Sequence, residues 1–270
     1  MKNLKLQNLK FYILNCNFIF CFLHFKLQIA CYNLCYNNYI ISGNKTNRNM
    51  QTAINIAKEL FFPRRCFFCK KHGSLLCADC LALLDVSPNR RPDRSQKYLA
   101  DICAPCSYEN RRVKKLIRAF KYEPFCQELA IPLAGIVASH IAMSEQDFDF
   151  GKFIILPVPL AAKRLRWRGF NQAEIIAREL GRIWKIPAAA NCLARIAETK
   201  NQADLGQSQR FLNVKGAFAC TDNAPFKNKS VFLVDDVVTT GATMNECARV
   251  LSHKGAARII GIAIARTENS

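Results

Sequence analysis

Val231-Phe-Leu-Val-Asp-Asp-Val-Val-Thr-Thr-Gly-Ala-Thr243 is the stretch whose reading decides the fold. Val231 to Val234 form an apolar run, mostly β-branched or aromatic, which reads as a strand buried on both faces, as in a parallel sheet. Asp235 and Asp236 follow at its carboxyl end, and a loop of small and hydroxylated residues comes next. A helix is expected from Thr243. Thr243 and Glu246 have the spacing of a capping box, and Met244, Cys247, Ala248 and Leu251 recur at helical intervals. Loop amides at a helix N-terminus suit a phosphate, and adjacent carboxylates suit hydroxyls, so the pattern fits a phosphorylated sugar. The competing reading is an ordinary strand–turn–helix with an exposed acidic turn. Two carboxylates directly after so apolar a strand argue against it.

Upstream, Phe153-Ile-Ile-Leu-Pro157 is a second apolar strand, followed by a dense cationic loop holding Lys163, Arg164, Arg166, Trp167 and Arg168. Asn171 with Glu174 marks the start of a helix whose buried stripe is Ile176, Leu180, Ile183 and Trp184. Two strand–loop–helix units predict an open α/β sheet with both loops at the strands' carboxyl ends, where ligands bind. The arginines form forks for pyrophosphate oxygens. The other use of this loop is contact with single-stranded DNA, with Trp167 as a stacking platform. Earlier still, Val113, Leu116, Ile117 and Phe120 predict an amphipathic helix. Its other face carries Arg111, Arg112, Lys114, Lys115, Arg118 and Lys121, and is either simply solvated or a nucleic-acid surface. A further helix runs to about Met143, and Arg258 to Ala265 is a last strand.

Cys66-Phe-Phe-Cys69 and Cys77-Ala-Asp-Cys80, seven residues apart, bring four thiolates together in the closed set of one structural Zn²⁺. Cys103-Ala-Pro-Cys106 has the same spacing but lies in a strand-like alternation with no partner pair, and reads as two structural cysteines. The polar, proline-bearing stretch from Ser87 is a linker. The organisation expected is therefore an upstream extension at 1–49, a zinc-ribbon module at 50–86, a linker at 87–99 and the α/β domain at 100–270.

Fourteen cysteines in 270 residues suggest a disulfide framework, yet outside the close pairs they are scattered singly, which fits a reducing, cytoplasmic setting better. A formal net charge of +19 calls for an anionic partner without choosing among nucleic acid, phosphorylated metabolite and membrane surface. Residues 1–49 hold no Asp, Glu or Pro and consist largely of Asn, Lys, Phe, Ile, Leu, Tyr and Cys, all but the last being residues that AT-rich DNA encodes. They are read as a non-native or disordered extension upstream of a true start at Met50. A membrane anchor or a functional arm are the other readings. Asn15, Asn17 and His24 interrupt the apolar part, so membrane insertion is not expected.

Val231–Thr243 resembles the phosphoribosyl-pyrophosphate (PRPP) motif of type I phosphoribosyltransferases. That resemblance implies ribose hydroxyls on Asp235 and Asp236, with a phosphate cradle formed by Val237, Val238, Thr239, Thr240, Gly241, Ala242 and Thr243. Pro157-Val-Pro159, Arg168-Gly-Phe-Asn-Gln172, the Thr199 to Phe218 segment and the Asp-Asp motif, in that order after a zinc ribbon, resemble the ComF family of competence-associated proteins. The resemblance implies a type I phosphoribosyltransferase-like, mostly parallel sheet flanked by helices. It also implies Mg²⁺ bound with PRPP, catalysis centred on Asp235 and Asp236, and a mobile segment over the ligand at 201–216. The partners implied are PRPP, single-stranded DNA and proteins of the DNA-uptake machinery. The function expected is PRPP binding in DNA uptake, with Mg²⁺-dependent phosphoribosyl transfer. A non-catalytic DNA-binding accessory and a metabolic transferase of unknown acceptor base are the alternatives.

Overall fold

The computed structural model describes residues 64–86, 96–122, 125–144, 148–197, 214–221 and 225–267. The extension at 1–49, the helical pattern of Gln51–Phe62, most of the linker and residues 198–213 lie outside these. Residues 64–270 form one compact unit.

The unit begins with the ribbon. Its first cysteine turn is a tight hairpin, with an antiparallel bridge from Arg65 to His72 and left-handed backbone at Lys70 and Gly73. Cys77 then caps a short helix, α1 (Ala78–Ala82). Two short strands follow, β1 (Asp101–Cys103) and β2 (Cys106–Ser107), each holding one cysteine of the third pair. Both cysteines are buried, and among the described residues neither joins a cluster of three or more potential metal ligands. Both thiols lie in strands, as the alternation of this stretch predicts.

Next come α2 (Arg111–Lys121), capped by the Asn110 side chain accepting from the Arg112 and Val113 amides, and α3 (Ala130–Met143). Then β3 (Phe153–Pro157), α4 (Ala162–Arg168), α5 (Gln172–Trp184), β4 (Leu193–Arg195) and β5 (Phe218–Cys220) follow in order. The chain closes with β6 (Ser230–Val234), β7 (Val237–Val238), α6 (Ala242–His253), β8 (Arg258–Ile262) and β9 (Ala265–Arg266).

The main sheet has the order β1-β8-β6-β3, and every neighbouring pair is parallel. Its strands alternate between two apolar layers, which is why they read as unbroken apolar runs. Phe232 and Val234 of β6 pack into one layer with α2, α3 and α5, while Val231 and Leu233 pack into the other with α6. A second, three-stranded sheet (β2-β9-β7) continues beyond the carboxyl ends, and β4 pairs antiparallel with β5. This is the expected parallel sheet flanked by helices.

The ribbon joins the first layer. Leu76 and Leu84 are buried in the same cluster as Leu116 and Ile117 of α2, and Val86 bridges Cys106 of β2. The last residues of the segment read as a linker are also docked: Gln96 and Leu99 are buried, and the Tyr98 amide donates to Asn245 Oδ1 at 3.0 Å.

Candidate functional site

Because β3 and β6 are parallel neighbours, the two segments that follow them open on one edge of the sheet. The backbone ladder persists just past the strands. The Val158 amide donates to the Val234 carbonyl at 2.8 Å, and the Asp235 amide donates to the Ile262 carbonyl at 2.8 Å. There the chain turns, with the Asp236 amide donating to Asp235 Oδ1 at 2.8 Å. Pairing of β7 with β9 then carries it to the hydroxylated loop.

Gly241 takes a left-handed conformation (φ 73°) and caps α6 with no side-chain bond, so the helix starts at Ala242. The expected capping box does not form. A left-handed glycine begins the helix ahead of Thr243, and Glu246 is used elsewhere: it accepts the Gly216 amide at 2.8 Å and pairs with Arg249 at 2.8 Å. The start of α6 suits an anion through its dipole, with the Ala242 amide donating to Thr240 Oγ1 over a long 3.4 Å. Gln96 braces the loop from behind, its Nε2 donating to the Thr240 carbonyl at 3.0 Å. A Cβ on Gly241 would stand 3.0 Å from that same nitrogen, so glycine is required twice over, for its φ and for its size.

Asp235 and Asp236 differ sharply. Asp236 is buried and forms a 2.7 Å ion pair with Lys121, the last residue of α2. Burial works against the Lys121 charge, but Asp236, with Asp235 behind it, holds the ammonium above its ordinary pKa. Among the described residues, Asp235 has no cation within ion-pair distance. Burial, and then the charge of Asp236, push its carboxyl up to about 7.

The cationic segment after β3 is not a loop. Lys163, Arg164, Arg166, Trp167 and Arg168 lie on α4, a seven-residue helix closed by left-handed Gly169. Alanine, leucine and long basic side chains favour the helix, and glycine ends it. Of the five, only Arg168 turns inward, while the other four are exposed. Its guanidinium lies 5.5 Å from the Tyr122 ring and 5.8 Å from the Trp167 ring, and it hydrogen-bonds Gln172. Burial draws its pKa down, and the nearby charge of Asp236 acts the other way. Among the described residues, Arg168 Nε and Gln172 Nε2 are buried with no hydrogen-bond partner, donors that a ligand's anionic oxygens would satisfy.

The edge thus brings together Asp235, Asp236, the Thr239–Thr243 loop and Arg168. Two further residues belong to it. Lys121 was counted with the solvated basic face, yet it falls one helical turn after Ile117 on the edge of the buried stripe, a signal legible in the sequence. Gln96 had no such signal, being one polar residue in a polar stretch.

The ribbon carries the second centre. The thiol sulfurs of Cys66, Cys69, Cys77 and Cys80 all lie within 4.8 Å of one another, and Cys69 Sγ is 3.5 Å from Cys77 Sγ. A tetrahedral Zn²⁺ with bonds of about 2.3 Å separates its sulfurs by about 3.8 Å, so the set fits. Burial opposes ionisation of Cys66, but backbone N–H groups of Cys77, Cys69 and Phe68 bring its thiol down to about 6. Cys80 is pushed up to about 12 by burial and by its neighbouring thiols. The four sulfurs could hold a zinc ion, whose charge would favour their thiolate forms.

A phosphoribosyl transferase domain family matches residues 166–270, which include Arg168 and the whole Asp-Asp loop. The chain is 30% identical over 221 residues to Competence protein F of Haemophilus influenzae, covering 74% of this chain and 95% of that protein. It is 28% identical over 199 residues to DNA utilization protein YhgH of Salmonella typhi, covering 73% of this chain and 80% of that one. Competence protein ComFC of Bacillus subtilis matches at 35% identity over 105 residues, 39% of this chain and 40% of that protein.

Proposed function

Since the chain belongs to the ComF family of competence-associated proteins with a phosphoribosyltransferase-type domain, we propose that it binds PRPP and serves DNA uptake, with a site equipped for Mg²⁺-dependent phosphoribosyl transfer. The observation that carries this reading is the placement of the Asp235–Asp236 pair, the Gly241-capped helix start and Arg168 on one edge of a parallel sheet. Asp235 and Asp236 accept the ribose hydroxyls. The amides from Thr239 to Thr243 hold the 5′-phosphate, and Arg168 faces the pyrophosphate.

In the transfer itself, a nucleophile attacks the anomeric carbon and pyrophosphate leaves with its bonding electrons. The chain positions the sugar and offsets charge that grows at the ribosyl centre and on the leaving group. Mg²⁺, when bound with PRPP, supplies Lewis-acid stabilisation of the pyrophosphate. A non-catalytic role for the same pocket is favoured by one observation: Lys163, Arg164 and Arg166 face solvent on α4 and leave Arg168 as the inward cation of that segment. Pyrophosphate release against a panel of nucleobases decides between the two. The working location is cytoplasmic. Among the described residues no helix is long and apolar enough to cross a membrane.

Mg²⁺–PRPP is expected to raise the melting temperature of the full chain, and Asp235→Asn is expected to abolish that shift. No shift in the parent protein would remove the pocket assignment.

The raised Asp235 pKa carries a pH dependence. Between the unfolded carboxyl value and about 7 the folded chain holds a proton that the unfolded chain has released, so this group lowers folding stability as pH rises through that window. Ligand hydroxyls favour the ionised form, so PRPP affinity strengthens as pH rises towards about 7 and levels off above it. Carboxyl-carbon NMR of the free protein should find one aspartate titrating near 7, with calorimetric affinity falling below that pH. An aspartate set titrating wholly below 5 would contradict this.

A further inference from the structure

The ribbon and α2 enclose an open groove of about 440 Å³, lined by Phe67, Arg111, Lys114, Lys115, Arg118 and Tyr122 among others, none of them acidic. The four cations are exposed, and none forms an ion pair with a carboxylate among the described residues. They are also interleaved with aromatic rings. Lys115 sits 5.6 Å from the centre of the Phe67 ring, and Lys114 sits 5.4 Å from that of Tyr108. Beyond Tyr122, which is 48% exposed, the surface continues to Trp167, 60% exposed and 6.0 Å from the Tyr122 ring. Trp167 in turn lies against Arg168 at the sugar-phosphate edge.

We propose that this groove is a track for single-stranded DNA, running from Phe67 on the ribbon along α2 to Tyr122 and Trp167 beside the PRPP cleft. The inference rests on the DNA-uptake reading above and gives that reading a surface. The occupant follows from the chemistry. A row of cations with no carboxylate among the groove's lining tracks a phosphate backbone, and exposed rings at one end offer faces on which unpaired bases stack. A duplex keeps its bases paired and presents no such faces. From Arg111 to Arg118 the helix rises about 10 Å, the length of about three nucleotide steps. The ribbon's part is to hold Phe67 against α2, which makes the groove depend on the four cysteines.

The test is fluorescence anisotropy of the full chain with a labelled thymine-run oligonucleotide across a salt series. The parent is expected to bind it, with duplex of equal charge competing weakly. Arg111→Ala/Lys115→Ala/Arg118→Ala is expected to lose about tenfold or more in affinity and to flatten the salt slope by about 2, each lost phosphate contact counting about 0.7. The same variant keeps the Mg²⁺–PRPP thermal shift, which shows that it is folded. Tyr122→Ala is expected to lose roughly fivefold or more with the salt slope unchanged, as loss of stacking demands. Tight parental binding that survives the triple substitution overturns the track and leaves the DNA-uptake reading standing. No parental binding removes both. Equal competition by duplex overturns the single-strand assignment.

Discussion

Lys121→Met is expected to destabilise the chain by about 3–5 kcal/mol, the cost of leaving a buried charge without its partner. Lys121 is the single cation within salt-bridge distance of Asp236 among the described residues, at 2.7 Å, and both side chains are largely withdrawn from water. Methionine preserves the length and apolar body of the lysine stem, so the packing of α2 changes little. The Asp236 carboxylate then lies buried without its ion-pair partner, with Arg168 the nearby cation that remains. For a unit of this size the loss corresponds to a fall in melting temperature on the order of 10 °C. Lys121→Met/Asp236→Asn should recover most of it, because the neutral amide no longer needs the cation. Thermal melts of the two variants measure the coupling directly. A Lys121→Met protein within about 1 kcal/mol of the parent would mean that Asp236 is solvated and the pair immaterial.

Cys66→Ser is expected to reduce bound zinc from one equivalent to none and to lower stability by about 3–6 kcal/mol. Cys66 is fully buried at the head of the ribbon. Without the metal, the hairpin and α1 have little to hold them, and Leu76 and Leu84 come away from α2. Two aliphatic side chains returned to water account for about 1.5–3 kcal/mol each. Metal analysis by atomic absorption, with thermal melts before and after chelation, provides the check. Cys106→Ser is the contrast: it disturbs a buried strand position but keeps its zinc. Retention of full zinc by Cys66→Ser, or its loss from Cys106→Ser, would reassign the ligand set.

The parts of the molecule legible in the sequence are those where one local pattern admits one structure. Val231–Val234 and Phe153–Leu156 could only be strands buried on both sides, and they are adjacent in the sheet. Asn171 does cap α5, accepting from the Ala173 amide. The two close cysteine pairs do converge. Misreadings arose where a tertiary partner decided the outcome. Glu246 matched a local capping pattern, but the Gly216 amide and Arg249 claimed its carboxylate. The cations after β3 were taken for a ligand loop because charge was weighed above helix propensity, so α4 was missed and only Arg168 reaches inward. Gln96 became a brace only because a chain 144 residues further on folds back over it.

Helix α2 packs against the cysteine ribbon through Leu116 and Ile117 at its middle and meets the acid pair through Lys121 at its end. On the proposed reading, a sugar phosphate that competes for Asp236 and a DNA strand that lies along α2 act on the same helix. Thermodynamics makes that relation reciprocal: whatever factor sugar-phosphate occupancy changes DNA affinity by, DNA changes sugar-phosphate affinity by the same factor and in the same sense. The proposed coupling is read by measuring DNA affinity with and without the sugar phosphate, whether or not any bond is made between the two ligands.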